Sequence, residues 1–105
     1  MILKYDMDIS SEAIITNLQR LINQTYKLLP NWEEGIDWKK PLTTIIEEFA
    51  GMDRLFLSQQ EIFFSLLCKL EGLFLYEDKS DFFLFRKTIF ECLNLIGELI
   101  KYVTK

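Results

Sequence analysis

The sequence predicts an all-α fold, an antiparallel four-helix bundle with a short extended N-terminal arm, in a single domain over residues 1–105. Apolar residues recur three and four positions apart along most of the chain, which is the spacing of one helix face. Three stretches rich in proline or polar residues interrupt this pattern and leave four helical segments. Because short connections make sequential helices neighbours, an antiparallel bundle is the simplest arrangement.

The first helix is expected to begin at Ser10 and Ser11 and to end near Leu29. A serine hydroxyl can accept a hydrogen bond from a free main-chain N–H at a helix start, and Pro30 is expected to stop the helix. Residues 2–9 alternate apolar and polar side chains as a strand does. No second strand is predicted to pair with them, so we expect an extended arm.

The second helix follows the longest predicted loop, residues 30–40, which contains Gly35. Pro41 suits the first turn of a helix because its fixed φ matches the helical value and its missing N–H is not needed there. Apolar residues then continue at helical spacing to Phe56, where we expect this helix to end.

The start of the third helix is marked by Ser58 and Glu61, which have the spacing of a capping box, with Leu57 and Ile62 at the two flanking staple positions. This motif predicts a tight turn between the second and third helices, and a third helix over residues 59–76. The polar residues 77–81 are expected to end it and to cap a fourth helix, which occupies most of the remaining chain.

Composition excludes several classes of protein. Two cysteines are too few for a disulfide scaffold, and without histidine the chain lacks the further ligands that a zinc site needs. The first ten residues have no apolar signal-peptide core, and no uncharged run approaches the roughly 18 residues of a membrane span. We therefore expect a cytoplasmic protein.

The abundance of Ile, Lys and Phe, with little Ala, Gly or Pro, is a bias that we associate with a bacterium or its phage.

The third and fourth helices carry more apolar surface than a single core requires. Beyond their core stripes, apolar side chains continue onto outer faces that would normally be polar, and such a surface usually marks a partner site. The residues predicted to contact a partner protein, either another copy of the chain or a larger complex, are Phe64, Cys68, Leu75, Leu84, Leu95 and Tyr102. The alternative is that the fourth helix is simply the most buried helix of the bundle.

The loop between the first two helices contains two tryptophans that bracket three acids and a glycine. Its candidate recognition residues are Trp32, Glu33, Glu34, Asp37 and Trp38. In one interpretation a tryptophan anchors the loop on a partner and the acids select a basic surface. In the other, both indole rings close the end of the bundle, while the acids stay in solvent or cap the second helix.

Asp53 is anomalous because it lies near the middle of the apolar stripe of the second helix, four residues after Phe49. A buried carboxylate needs a partner or a shifted pKa, which would make Asp53 a candidate functional acid. Alternatively, the helix ends at this point and Asp53 reaches solvent or a nearby cation such as Arg54.

The sequence favours a non-enzymatic interaction module, namely an accessory subunit, adaptor or inhibitor. Without histidine no Ser-His or Cys-His pair is possible, and no glycine-rich phosphate loop or cofactor motif occurs. A metal-dependent nucleotide hydrolase is one alternative, and its acidic ligands would come from Glu47, Glu48, Asp53, Glu91 and Glu98. A nucleic-acid-binding accessory protein is a second alternative; its cationic contacts would come from Lys39, Lys40, Arg86 and Lys87, against a net charge of −4.

Overall fold

The computed structural model describes residues 11–104, which are almost entirely helical and contain no strand, so the all-α prediction is confirmed. The four α-helices are α1 (Ser11–Glu34), α2 (Lys39–Ala50), α3 (Gln60–Gly72) and α4 (Phe82–Thr104). Three 3₁₀ segments lie between them: Asp53–Gln59, Leu73–Leu75 and Lys79–Asp81. The predicted arm over residues 2–9 lies outside the described residues.

Helix α1 continues through Pro30, so the prediction that it ends near Leu29 was wrong. The helix ends instead at Gly35, which has a φ of 74°. The main-chain N–H of Ile36 donates to the carbonyl of Asn31 (2.9 Å), and that of Gly35 donates to Trp32 (3.4 Å), which is the Schellman pattern. Proline removes one hydrogen bond from the helix, but packing of the last turn against α4 outweighs this local preference.

Helix α2 ends at Ala50 rather than near Phe56, so its predicted end was also wrong. A turn at Gly51 leads into the 3₁₀ segment Asp53–Gln59, which is kinked at Phe56 (φ −124°, ψ 34°). Met52 and Phe56 are nevertheless buried, so the apolar spacing continues past the end of the α-helix. Spacing alone therefore did not distinguish the α-helix from the tighter turns that follow it.

The predicted capping box at Ser58 and Glu61 does not form. Gln59 precedes the first residue of α3, and no side chain caps this helix start. Ser58 lies inside the 3₁₀ segment, where its hydroxyl is hydrogen-bonded to that of Tyr102 at 2.6 Å. The connection between α2 and α3 is therefore a kinked 3₁₀ segment and not a tight turn.

The boundary between the third and fourth helices agrees better with its prediction. Helix α3 ends at Gly72 and the chain stays helical through the 3₁₀ segment Leu73–Leu75, close to the predicted limit at Tyr76. The side chain of Asp78 accepts a hydrogen bond from the main-chain N–H of Ser80 at 3.2 Å and caps the next 3₁₀ segment. That segment leads directly into α4.

The core is one cluster to which every helix contributes. Helix α1 packs against α2 and α4, and helix α3 packs against α2 and α4. The fully buried apolar side chains are Leu18, Leu21, Leu28, Leu42, Phe49, Leu66, Leu70, Leu73, Phe85, Ile89, Cys92, Ile96 and Leu99. Within each helix they recur at spacings of three, four or seven, as expected for one buried stripe. None of the helices in residues 11–104 combines the length and hydropathy needed to cross a bilayer.

Candidate functional site

Four of the six predicted contact residues lie on the outside of α3, of the 3₁₀ segment that follows it and of the start of α4. Phe64 is 62% exposed, Leu75 is 79% exposed and Leu84 is 45% exposed, and Cys68 is also exposed. Phe64 and Cys68 are four residues apart on α3 and therefore share one side of the helix. We call these four residues the α3–α4 face.

The other two predicted contact residues are half-buried between helices. The ring of Tyr102 lies 6.3 Å from that of Phe56, and its hydroxyl is hydrogen-bonded to Ser58. Leu95 packs against the buried core. The structure therefore places Leu95 and Tyr102 in internal packing and does not bring them together with the exposed residues.

A groove of about 330 Å³ runs between α3 and α4 beside the α3–α4 face. Its lining residues are Cys68, Lys69, Gly72, Tyr76, Leu84, Lys87, Thr88 and Glu91. The ammonium of Lys69 and the carboxylate of Glu91 form an ion pair of 3.1 Å at the groove. The groove is open at Gly72, where an added Cβ atom would meet no atom within 4 Å. The groove thus combines apolar lining with charged side chains at its edge.

A second exposed apolar surface, which the sequence reasoning did not select, lies between α1 and α4. We call its residues, Tyr26, Phe83 and Phe90, the aromatic face. The rings of Tyr26 and Phe90 meet edge to face at 6.3 Å, and the guanidinium of Arg86 lies 5.1 Å from the Phe90 ring. Phe83 is 69% exposed. The seven-residue spacing of Phe83 and Phe90 on α4 was the signal in the sequence.

The two tryptophans close one end of the helical core. Trp32 lies in the last turn of α1, where its ring stacks on Phe85 at 5.2 Å and its indole N–H donates to the carbonyl of Tyr76 at 2.7 Å. Trp38 directly precedes α2, with its ring 6.2 Å from that of Phe74 and 5.3 Å from that of Phe85. Both indoles are half-buried, as the interpretation in which they close the bundle end requires.

The acids of this region are exposed, and only residues 35–38 lie outside a helix. Glu33 and Glu34 belong to the last turn of α1 and not to a loop, which corrects the predicted loop over residues 30–40. Asp37 accepts hydrogen bonds from the main-chain N–H groups of Lys39 (3.1 Å) and Lys40 (3.3 Å). It therefore satisfies two free donors at the start of α2.

A pocket of about 480 Å³ opens at this end of the molecule. Its lining residues are Trp32, Glu33, Gly35, Trp38, Glu77, Lys79 and Phe82. Beside it, the ammonium of Lys39 is 2.7 Å from a carboxylate oxygen of Glu77 and 5.7 Å from the centre of the Trp38 ring. Two indole rings and two carboxylates are thus brought together by α1, the start of α2 and the segment before α4.

The two cysteines have opposite environments. Cys68 is exposed on α3, Cys92 is fully buried in α4, and both are free thiols. Burial raises the pKa of the Cys92 thiol from 9.0 to about 12, because the thiolate would lose its solvation in the core. The ammonium of Lys69 lowers this pKa by a smaller amount. Cys92 is therefore a neutral core residue.

The acidic residues considered as metal ligands of a nucleotide hydrolase do not lie together in the structure. Asp53 is exposed at the start of a 3₁₀ segment, as expected if α2 ends before it. Of the other acids, Glu48 pairs with Arg20, Glu91 with Lys69 and Glu98 with Lys101. Within residues 11–104, no group of three or more Cys, Asp or Glu side chains is placed to hold a metal ion.

Two of the four cations considered for nucleic-acid binding contact other side chains of the chain. Lys39 is paired with Glu77, and Arg86 lies over Phe90. Glu77 offsets the charge of Lys39, which weakens the case for a basic surface at this end of the molecule.

No protein-family model, no curated protein and no solved structure matches this chain. The function is therefore inferred from the geometry of the chain itself.

Proposed function

We propose that this chain is a non-enzymatic protein–protein interaction module that docks through the α3–α4 face. The observation that carries the proposal is the exposure of Cys68 and Leu84 in the lining of an open groove between two helices, together with the exposure of Phe64 and Leu75. Solvating several large apolar side chains on one surface is unfavourable, and a partner that covers them gains the free energy of burying that area.

We also propose that the four helices form an antiparallel bundle. The contacts between α1 and α4 support it, since Trp32 meets Phe82 near the start of α4 while Tyr26 meets Phe90 farther along. Residues nearer the start of α1 thus contact residues farther along α4, which is the pattern of antiparallel helices.

The contacts between α1 and the α2 region follow the same rule. Between α1 and α2, Arg20 pairs with Glu48, and Asn17 donates to the sulfur of Met52 at 3.7 Å. Nuclear Overhauser contacts between the Tyr26 and Phe90 rings, and between Asn17 and the Met52 methyl group, would support this arrangement. Contacts from Asn17 to the start of α2 instead would contradict it.

The shape and lining of the α3–α4 groove suit the binding of a helix from a partner protein. Its less polar lining comes from Cys68 on α3, from Tyr76 after α3 and from Leu84 on α4, so the ridge of a partner helix can enter between α3 and α4. The charged side chains Lys69, Lys87 and Glu91 lie at the groove, as polar groups do at the rim of protein interfaces. Its partner is another copy of the chain or a larger complex, which it would serve as an accessory subunit, adaptor or inhibitor.

The proposed setting is the cytoplasm of a bacterium, or of a bacterium infected by the phage that encodes the chain. An exposed free thiol at Cys68 supports a reducing compartment, where thiols stay unpaired. The composition, rich in Ile, Lys and Phe, supports the bacterial or phage origin by association.

Two neighbouring residues of α4 provide a matched test of the docking face. Leu84 belongs to the α3–α4 face and Phe83 to the aromatic face, and consecutive helical residues point about 100° apart. Because both side chains are exposed, Leu84→Glu and Phe83→Glu should fold equally well. We expect Leu84→Glu to abolish association while Phe83→Glu retains it.

Association should be measured by light scattering across a concentration series, and by quantitative recovery of co-purifying protein from the native host. Loss of association in Phe83→Glu with retention in Leu84→Glu would assign docking to the aromatic face and overturn the proposed surface. A wild-type chain that stays monomeric and recovers no partner would overturn the proposed function.

A further inference from the structure

The pocket beside the tryptophans shares no lining residue with the α3–α4 groove and plays no part in the proposed docking. Its aromatic lining consists of Trp32, Trp38 and Phe82. The face of an aromatic ring carries negative electrostatic potential and attracts cations, most strongly for indole. Such a pocket favours a positively charged, partly apolar ligand over a neutral or anionic one.

The charges around the pocket have the complementary sign. Residues 33–40 and 77–81, which form this end of the molecule, contain six carboxylates and three ammonium groups. Their net charge of −3 accounts for most of the −4 carried by the whole chain. A cation that approaches this end is therefore attracted before it makes contact.

The chain itself shows that this arrangement holds an ammonium group. Lys39 places its Nζ atom 2.7 Å from a carboxylate oxygen of Glu77 and 5.7 Å from the centre of the Trp38 ring. Glu33 also lines the pocket, and it forms no ion pair with any residue between 11 and 104. A second cation therefore has the Glu33 carboxylate available at the pocket.

We propose that this pocket binds a lysine or arginine side chain of a partner polypeptide, with its charged group paired with Glu33 and its aliphatic part against the aromatic lining. The long aliphatic part of such a side chain packs against aromatic rings while its head remains paired, as these side chains commonly do. Lys79 lines the same pocket and opposes the ligand by like-charge repulsion. The site shares no residue with the α3–α4 face, so the test of this site and the test of the proposed function have separate outcomes.

The sequence offers a direct readout, because its only two tryptophans both line this pocket. In the full-length protein labelled with ¹⁵N, the two indole N–H resonances report on the site without further labelling. The probes are the N-acetyl amides of arginine and lysine. Their uncharged counterparts are the N-acetyl amides of citrulline and norleucine. We expect the charged probes to shift the Trp32 indole resonance in a saturable manner and the uncharged probes to leave it unshifted.

Three single substitutions define the electrostatics of the site. Glu33→Gln should weaken arginine-amide binding by about two- to fivefold, the range for one partly exposed ion pair, and Lys79→Gln should strengthen it by about the same factor. Glu47→Gln is the control, since it removes the same charge from an exposed position on α2 away from the pocket. Raising the salt concentration should weaken binding in every variant.

Several results would overturn the proposal. Equal shifts from citrulline and arginine amides would mean that charge is not recognised, and equal loss in Glu33→Gln and Glu47→Gln would mean that only net charge matters. Binding of tetramethylammonium without binding of either amide would assign the pocket to a small ammonium ligand instead. Leu84→Gln, which removes the apolar side chain from the docking face without adding charge, should leave the titration unchanged and so separates this site from that face.

Discussion

The indole nitrogen of Trp32 donates a hydrogen bond of 2.7 Å to the main-chain carbonyl of Tyr76. The bond joins the last turn of α1 to the segment between α3 and α4, 44 residues later in the chain. It also satisfies a carbonyl oxygen in a part of the chain that has left its helix, where no helical donor is available. Trp32 is therefore held in place from two sides, by this bond and by stacking on Phe85.

Replacing Trp32 by phenylalanine tests the contribution of that bond. Trp32→Phe keeps an aromatic ring but leaves the carbonyl of Tyr76 without its donor, so we expect a loss of about 1–2 kcal/mol in the free energy of unfolding in urea. Trp38→Phe is the matched control, because the Trp38 indole N–H has no hydrogen-bond partner in the part of the chain that the structure describes. If Trp38→Phe costs as much as Trp32→Phe, ring packing and not the hydrogen bond is responsible.

The end of α1 shows which of two sequence signals was decisive. Pro30 was expected to end the helix, but proline costs a helix one hydrogen bond and a local clash, and packing of Trp32 two residues later offsets that cost. Gly35 was the better signal, because it alone tolerates the positive φ with which the Schellman motif closes the helix. The four helices themselves were predictable because their buried residues follow one spacing.

The candidate site was predictable only in part, for a related reason. Spacing identifies which residues share a helix face, and it correctly placed Phe64 and Leu84 outside the core. Spacing does not show whether a neighbouring element covers a helix face. It therefore could not distinguish Leu84, which is exposed, from Tyr102, which contacts Ser58 and Phe56. The pocket at the tryptophans depends on residues 77–81 lying beside α1, a tertiary contact that no local pattern encodes.

Two glycines of the chain should respond oppositely to the same substitution. Gly35 has a φ of 74°, where an alanine is strained, so Gly35→Ala should lower the free energy of unfolding by about 1 kcal/mol. Gly97 lies inside α4, where an added Cβ would meet no atom within 4 Å. Gly97→Ala should therefore raise the free energy of unfolding by about 0.5–1 kcal/mol, through the higher helix propensity of alanine.

Urea unfolding of both variants and of the double variant gives the measurement, and additive effects are expected because the sites are far apart in the chain. A destabilising Gly97→Ala would show that this face of α4 is more tightly packed than the structure has it.

Thr25 buries a hydroxyl in the core face of α1. Its side chain is fully buried, and its Oγ1 atom has no hydrogen-bond partner within residues 11–104. Thr25→Val replaces that hydroxyl by a methyl group of similar size, so it should raise the free energy of unfolding by up to about 1 kcal/mol. Thr43→Val is the control: Thr43 is exposed, and its hydroxyl donates to the carbonyl of Lys39 at 3.0 Å. A clear destabilisation by Thr25→Val would contradict this assignment.

The two free thiols should react at very different rates. Cys68 is exposed and Cys92 is fully buried, so a thiol reagent should modify one cysteine per chain in the native state and the second only after unfolding. Mass spectrometry of the peptides identifies the modified residue. Cys68→Ser should leave the native protein unreactive, and rapid modification of Cys92 in that variant would show that α4 opens far more readily than its packing suggests.

Ionisation of Cys92 should make the protein less stable at alkaline pH. Burial raises the pKa of this thiol from 9.0 to about 12 in the folded state, so between these values the unfolded chain releases the proton and the folded chain keeps it. Its contribution is fully present below pH 9.0 and is lost as the pH rises towards 12. The free energy of unfolding should fall in this window by at most about 1.4 kcal/mol per pH unit.

Other groups also titrate at alkaline pH, so the informative quantity is the difference between the wild type and Cys92→Ala. Under reducing conditions this difference in unfolding free energy should be constant below pH 9.0 and should shrink above it, because only the wild type carries the buried thiol. Cys68→Ala retains that thiol and should keep the wild-type dependence. A difference that stays constant up to pH 11 would mean that Cys92 ionises equally easily in both states, and hence that solvent reaches the centre of α4.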